Sequence, residues 1–117
     1  MLRIFCKSKI NNAFISGKQM RYSGSIGIDS SIMEAADIMP GEQVNVLNLN
    51  NGERFTTYAI EETAGSGKIV LYGPATRKGE AGDEIVLLSY CHMEAKESHN
   101  FTMRVVTLGK NNQPKSK

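Results

Sequence analysis

Three glycine-rich breaks cut the middle of this chain into pieces too short for long helices. They are Asn50-Asn51-Gly52, Ala64-Gly65-Ser66-Gly67 and residues 79–83. Asn and Gly tolerate positive φ, so such clusters close tight turns and hairpins. The pieces between them have strand patterns. Residues 43–49 alternate polar and apolar, as a half-buried strand does. Residues 54–60 read as the return strand of the Asn-Gly hairpin, and 68–72 follow the second turn. The unbroken apolar run within 84–90 predicts a strand buried on both faces. Residues 3–7, 12–15 and 26–28 read as earlier strands, and 101–108 as a last one. One helix is predicted over 29–37. Ser31 and Glu34 have capping-box spacing, and Ile32, Ala35 and Ala36 form an apolar face. Pro40-Gly41 ends that element with a turn. Residues 109–117 are polar and basic and are expected to fray. Many short strands, Gly-rich turns and one or two short helices indicate a mainly β fold, a small closed barrel.

The chain of 117 residues is expected to be one domain, 1–117, with a modest core. A net charge of +2 is too small to argue for nucleic acid or an anionic membrane, and neither is expected as partner. The apolar runs are far shorter than a membrane span, and the N-terminal residues lack a signal-peptide pattern. A cytoplasmic location is expected. Cys6 and Cys91 stand alone and read as reduced structural thiols. His92 and His99 have no companions at ligand spacing, so no metal site is expected.

The chemistry centres on Gly24-Ser25. As a bare dipeptide it is an ordinary turn. A serine after a glycine is also where a backbone can rearrange. The hydroxyl attacks the preceding carbonyl, the amide becomes an ester, and elimination with hydrolysis leaves a pyruvoyl group. That group is a built-in electrophilic ketone.

The company of this dipeptide carries a resemblance. Tyr22-Ser23-Gly24-Ser25-Ile26-Gly27-Ile28-Asp29 is similar to the processing site of the pyruvoyl-dependent aspartate decarboxylase family. The segment 51–60, beginning Asn51-Gly52-Glu53-Arg54, resembles that family's second signature. Lys9, Gly73, Gly82-Asp83 and the run 85–88 follow in register, and the likeness covers residues 1–93.

The resemblance implies a double-psi barrel, assembled as a homotetramer with active sites between subunits. It implies cleavage between Gly24 and Ser25, giving a short chain, 1–24, and a long chain, 25–117. The cofactor would be a pyruvoyl group made from Ser25, with no metal and no pyridoxal phosphate. L-Aspartate or a related amino acid would condense with it and lose carbon dioxide. β-Alanine for pantothenate and coenzyme A would be the product. Some members of the family need a maturation factor to cleave.

The roles follow position by position. Thr57 would donate to the oxyanion formed at Gly24 during processing. Tyr58 would deliver the proton to the carbanion. Arg54 would hold a carboxylate through its planar fork, with Lys9 as second cation. Tyr22 would line the site, as would Gly73 and Ala75. On a regular strand Arg54 and Tyr58 share a face while Thr57 points away. The strand must then be irregular or lie at a subunit boundary.

Some positions depart from the family pattern. Asn11 stands where histidine is usual, and Tyr72 where asparagine is usual. Pro74-Ala75-Thr76-Arg77 replaces a run of alanines. Asn11 cannot carry charge, Tyr72 is larger, and Pro74 lacks an N–H. Three readings follow: an aspartate decarboxylase, a pyruvoyl decarboxylase of another amino acid, and a barrel that does not process.

Overall fold

The computed structural model describes residues 1–115. Eight strands form one mixed sheet. They are β1 (Leu2–Phe14), β2 (Gly17–Gln19), β3 (Ser25–Asp29), β4 (Gln43–Asn48), β5 (Arg54–Glu62), β6 (Ile69–Tyr72), β7 (Glu84–Glu94) and β8 (Arg104–Thr107). Their order is β2-β6-β3-β5-β4-β7-β1-β8. The sheet closes because β1 and β2 are one ribbon. β1 pairs with β7, runs on through Ile15 and Ser16, and becomes β2, which pairs with β6. The Ile15 amide donates to the Asp83 carbonyl at 2.9 Å and the Ser16 amide to the Ile69 carbonyl at 2.8 Å, which seals the crossover. β8 adds on outside, parallel to β1. Inside the ring, β2·β6 and β3·β5 are parallel and the other pairs antiparallel. This mixture fits the crossed connections of a double-psi barrel.

Inward-facing residues fill the barrel: Ile10, Ile26, Ile28, Val44, Val46, Ile69, Leu71, Ile85 and Leu87 are all fully buried. The helix α1 (Ser30–Ala36) adds Ile32, Met33 and Ala36 to the same core.

The helix starts differently from expectation. Its N-cap is Asp29, whose Oδ1 accepts the Ser31 amide at 2.8 Å and the Ser31 hydroxyl at 2.6 Å. Ser31 is therefore a donor inside the first turn, and the Ser31/Glu34 spacing forms no capping box. The same carboxylate accepts the amides of Gly65, at 3.1 Å, and Gly67, at 2.8 Å, which tie the 64–67 turn to the end of β3. Burial alone would raise the Asp29 carboxyl. The Ser31 hydroxyl and the N–H groups of Gly67, Ser31 and Gly65 outweigh it and hold the pKa below the ordinary range.

Three more expectations need correction. The segments 3–7 and 12–15 belong to one long strand, β1, with irregularities between Cys6 and Ser8 and between Ile10 and Ala13. The apolar run of β7 is not buried on both faces. Ile85, Leu87 and Ser89 are buried and Val86 and Leu88 only half-buried, because β7 is a barrel strand with one inner face. The C-terminal stretch packs, rather than frays, as far as Lys115. Asn112 is buried, its amide donating to the carbonyls of Phe14 at 2.8 Å and Gly67 at 2.9 Å and its oxygen accepting the Phe14 amide at 2.9 Å. One asparagine thus supplies the pairing that composition could not foretell. Residues 116–117 of the expected frayed tail lie outside the described residues.

Candidate active site

The site is a gap in the sheet. β3 begins at Ser25 and pairs with β5 only from Ile26↔Ala59 onward. Upstream, residues 20–24 bend away from the barrel. Residues Arg54 to Tyr58 of β5 are therefore paired with β4 on one side only. The edge left open borders a cleft of about 410 Å³, lined by Gly24, Ser25, Thr57, Tyr58, Pro74 and Lys78 among others. For Thr57 and Tyr58 this removes the difficulty of reach along β5. The strand is regular, but the cleft runs along its open edge, so neighbours from both faces, Thr57 and Tyr58, meet it.

Ser25 is the centre of the cleft. It is completely buried, and its Oγ has no hydrogen-bond partner, the one such buried side-chain atom among the described residues. A buried hydroxyl left unpaired costs about 1–3 kcal/mol. Such a group in a native fold calls for a reason. A nucleophile held beside the carbonyl carbon of its own preceding residue is one. Gly24 before it has φ 109°, a conformation an L-residue rarely adopts. The chemistry of a serine-derived ketone fits this position, since the group would sit where the orphan hydroxyl now lies.

Pro74 opens the 3-10 turn Gly73–Lys78, at a position whose N–H would have no helical partner. Its missing donor therefore costs the turn nothing. Its Cδ would lie 3.3 Å from a Cβ on Gly24, so the ring forms a wall of the cleft. Ala75 is a second wall.

The structure brings together Gly24, Ser25, Thr57, Tyr58, Pro74 and Ala75. Other candidates do not line this cleft. Lys9 lies on β1 between Leu88 and Val105, and Asn11 opposite Thr107 of β8. Arg54 stands exposed at the start of β5, without an ion-pair partner among the described residues. Tyr22 and Tyr72 pack on each other, ring centroids 4.7 Å apart. Tyr72 turns to Glu62, donating its hydroxyl to Oε2 at 2.5 Å. That bond, with burial and the Glu62 charge, pushes the Tyr72 phenol up to about 12. Tyr72 therefore does not reshape the cleft wall in the way its size suggests. Gly73 is a backbone neighbour of the Tyr22–Gly24 segment.

Two residues escaped the sequence reading. Lys78 lines the cleft while pairing with Glu53 at 2.9 Å. It lies at the end of a turn, where lysine has no distinguishing pattern. Glu62 needed the pairing of β3 with both β5 and β6 to come into view.

The model of the aspartate decarboxylase family matches residues 1–115, well past residue 93, where the recognisable motifs end. The chain belongs to the aspartate decarboxylase family. It is 46% identical over 114 residues to an aspartate 1-decarboxylase of Thermoanaerobacter pseudethanolicus, covering 97% of each chain. It is 47% identical over 95 residues to that of Flavobacterium psychrophilum, covering 81% of this chain and 82% of the relative. With the Staphylococcus epidermidis protein of the same name it shares 42% over 113 residues, covering 97% and 88%. In this member of the aspartate decarboxylase family the open edge of β5 and the orphan serine border one cleft. Among the described residues no group of three or more His, Cys, Asp or Glu is arranged to hold a metal. No helix of the described residues is long and apolar enough to cross a membrane.

Proposed function

We propose that this chain processes itself at Gly24–Ser25 and then decarboxylates L-aspartate to β-alanine and carbon dioxide. The observation that carries the reading is the buried, unpartnered Ser25 hydroxyl behind Gly24, in a member of this family.

Processing uses the chain's own atoms. Ser25 Oγ adds to the Gly24 carbonyl carbon, and Thr57 on the open β5 edge donates to the oxyanion. The C–N bond breaks as nitrogen takes the hydroxyl proton, leaving an ester. Loss of the Ser25 α-proton expels the Gly24 carboxylate. Water then replaces nitrogen, ammonia leaves, and the long chain begins with a ketone. The pyruvoyl group supplies the electron sink that decarboxylation needs.

The other residues bind and move protons. Arg54, on the same open edge, holds the retained carboxylate as a bidentate pair. Tyr58, 39% exposed at the cleft, returns a proton to the substrate carbon. Its strand neighbours in the cleft, Thr56 and Phe55, offer no comparable acid, and the Lys78 ammonium is engaged with Glu53. Lys9 comes from a second copy of the chain in a homotetramer, which fits its place away from the cleft of its own subunit. Asn11 accompanies it. The enzyme works in the cytoplasm, supplying pantothenate and coenzyme A synthesis, with a maturation factor as a further partner.

The test is carbon dioxide release from L-aspartate without added pyridoxal phosphate or metal. Wild type should be active and Ser25→Ala inactive. Activity that appears only with added pyridoxal phosphate would contradict the reading.

A further inference from the structure

We propose that Glu62 and Tyr72 form a clamp that holds the segment carrying the scissile bond, through the ring of Tyr22. The inference rests on the proposed processing at Gly24–Ser25.

The clamp is built across three strands. Glu62 ends β5, Tyr72 ends β6, and β3 lies between them. Their side chains meet over Gly27 of β3. A Cβ on Gly27 would overlap the Glu62 carboxylate and come within 2.9 Å of Tyr72 Cε2. Only a glycine in the middle strand leaves the space in which the phenol reaches the carboxylate. The bond is short, 2.5 Å, and joins a hydroxyl to an acid. It fixes where the Tyr72 ring lies, because a phenol with its tip anchored cannot swing away about its Cα–Cβ bond.

The fixed ring then acts on Tyr22. The two rings pack at 4.7 Å with an interplanar angle of 45°. Tyr22 precedes the Gly24–Ser25 bond by two residues, in a stretch without sheet pairing. Tyr22 itself is 50% exposed, so little else restrains it. Tyr72 and Ser25 are register partners, so the anchored ring belongs to the residue directly across from the nucleophile. The clamp thus spans the cleavage point: Ser25 is held by the sheet and Tyr22 by the ring. Processing needs the Gly24 carbonyl at a fixed angle to Ser25 Oγ, and misplacement by a fraction of a bond length is costly. Glu62 and Tyr72 are positioning residues in this scheme and touch neither substrate nor reacting atoms.

The experiment measures self-cleavage by intact mass for wild type, Tyr72→Phe, Glu62→Leu and the double variant. Each single change should slow cleavage about tenfold, the size of one lost bond to a charged group. The double variant should be no slower than either single, because both remove the same bond. Cleavage at the wild-type rate in both singles overturns the clamp. Multiplied effects in the double variant overturn the pairing. A second arm does not depend on cleavage. In a Ser25→Ala background, Tyr72→Phe should speed trypsin cutting after Arg21 several-fold more than cutting at sites elsewhere in the chain. Equal cutting rates overturn the clamp even in a protein that never processes. Failure of wild type to cleave, with faster cutting in the variant, rejects the processing and keeps the clamp.

Discussion

The backbone amide of Gly24 lies 2.8 Å from where a side chain on Gly73 would begin. The turn after β6 and the strand-free segment before β3 approach backbone to backbone, and Gly73 also holds φ 61°. Neither the contact nor the dihedral suits any residue with a Cβ. Gly73→Ala should destabilise the fold by about 1–3 kcal/mol and displace the scissile segment. Urea unfolding and the extent of cleavage would check both effects.

Asp29 links pH to stability. Its folded pKa lies below the ordinary carboxylate range, so its contribution is complete above that range and fades as pH falls through the folded value. Asp29→Asn keeps the shape but gives up a charged acceptor that serves Ser31, Gly65 and Gly67. The variant should lose about 1.5–3 kcal/mol at neutral pH. It should also lose less further stability on acidification than wild type does. Urea unfolding at neutral and acid pH measures the difference.

Lys78 is the cation nearest the cleft within one chain. Its pair with Glu53 is half-exposed on both sides, so the pair itself contributes little to stability. Lys78→Met should leave the unfolding midpoint within error while raising KM for aspartate several-fold. The effect on KM should shrink as salt rises, since the attraction is screened. Steady-state kinetics at two ionic strengths test this.

Asn11 and Tyr72, the departures from the family pattern, should behave differently. Asn11→His restores a group that can be charged, and should raise kcat/KM for aspartate by about tenfold. Tyr72→Asn should not help, because Tyr72 is engaged with Glu62 rather than with the cleft. A panel including glutamate and cysteine sulfinate, assayed with both variants, separates a slower aspartate enzyme from one of altered substrate.

The fold was legible where local chemistry decides it. The Asn50-Asn51-Gly52 hairpin forms, with Leu47 paired to Arg54 on its two arms. The turn at 64–67 and the alternation of β4 are read as easily. What stayed hidden depends on contacts distant in sequence. Asn112 gains its order from Phe14 and Gly67, and the Asp29 carboxylate that caps the helix at Ser31 also takes the amides of Gly65 and Gly67. The candidate site was open to reading as a set of residue types, because Gly24-Ser25 and the 51–60 motif are each short contiguous stretches. Its geometry was not. That Thr57 and Tyr58 share a cleft follows from β3 starting late, a fact of pairing that no spacing along β5 reveals. Glu62 likewise acquires a partner only through the glycine between two strands.

On the proposed reading, the buried Ser25 hydroxyl cuts its own chain. Intact-mass analysis of the purified protein tests it most directly. Two fragments are expected, one ending at Gly24 and one beginning with a pyruvoyl group in place of Ser25, with Ser25→Ala remaining whole. A single uncut chain after long incubation, with cell extract present, would contradict it.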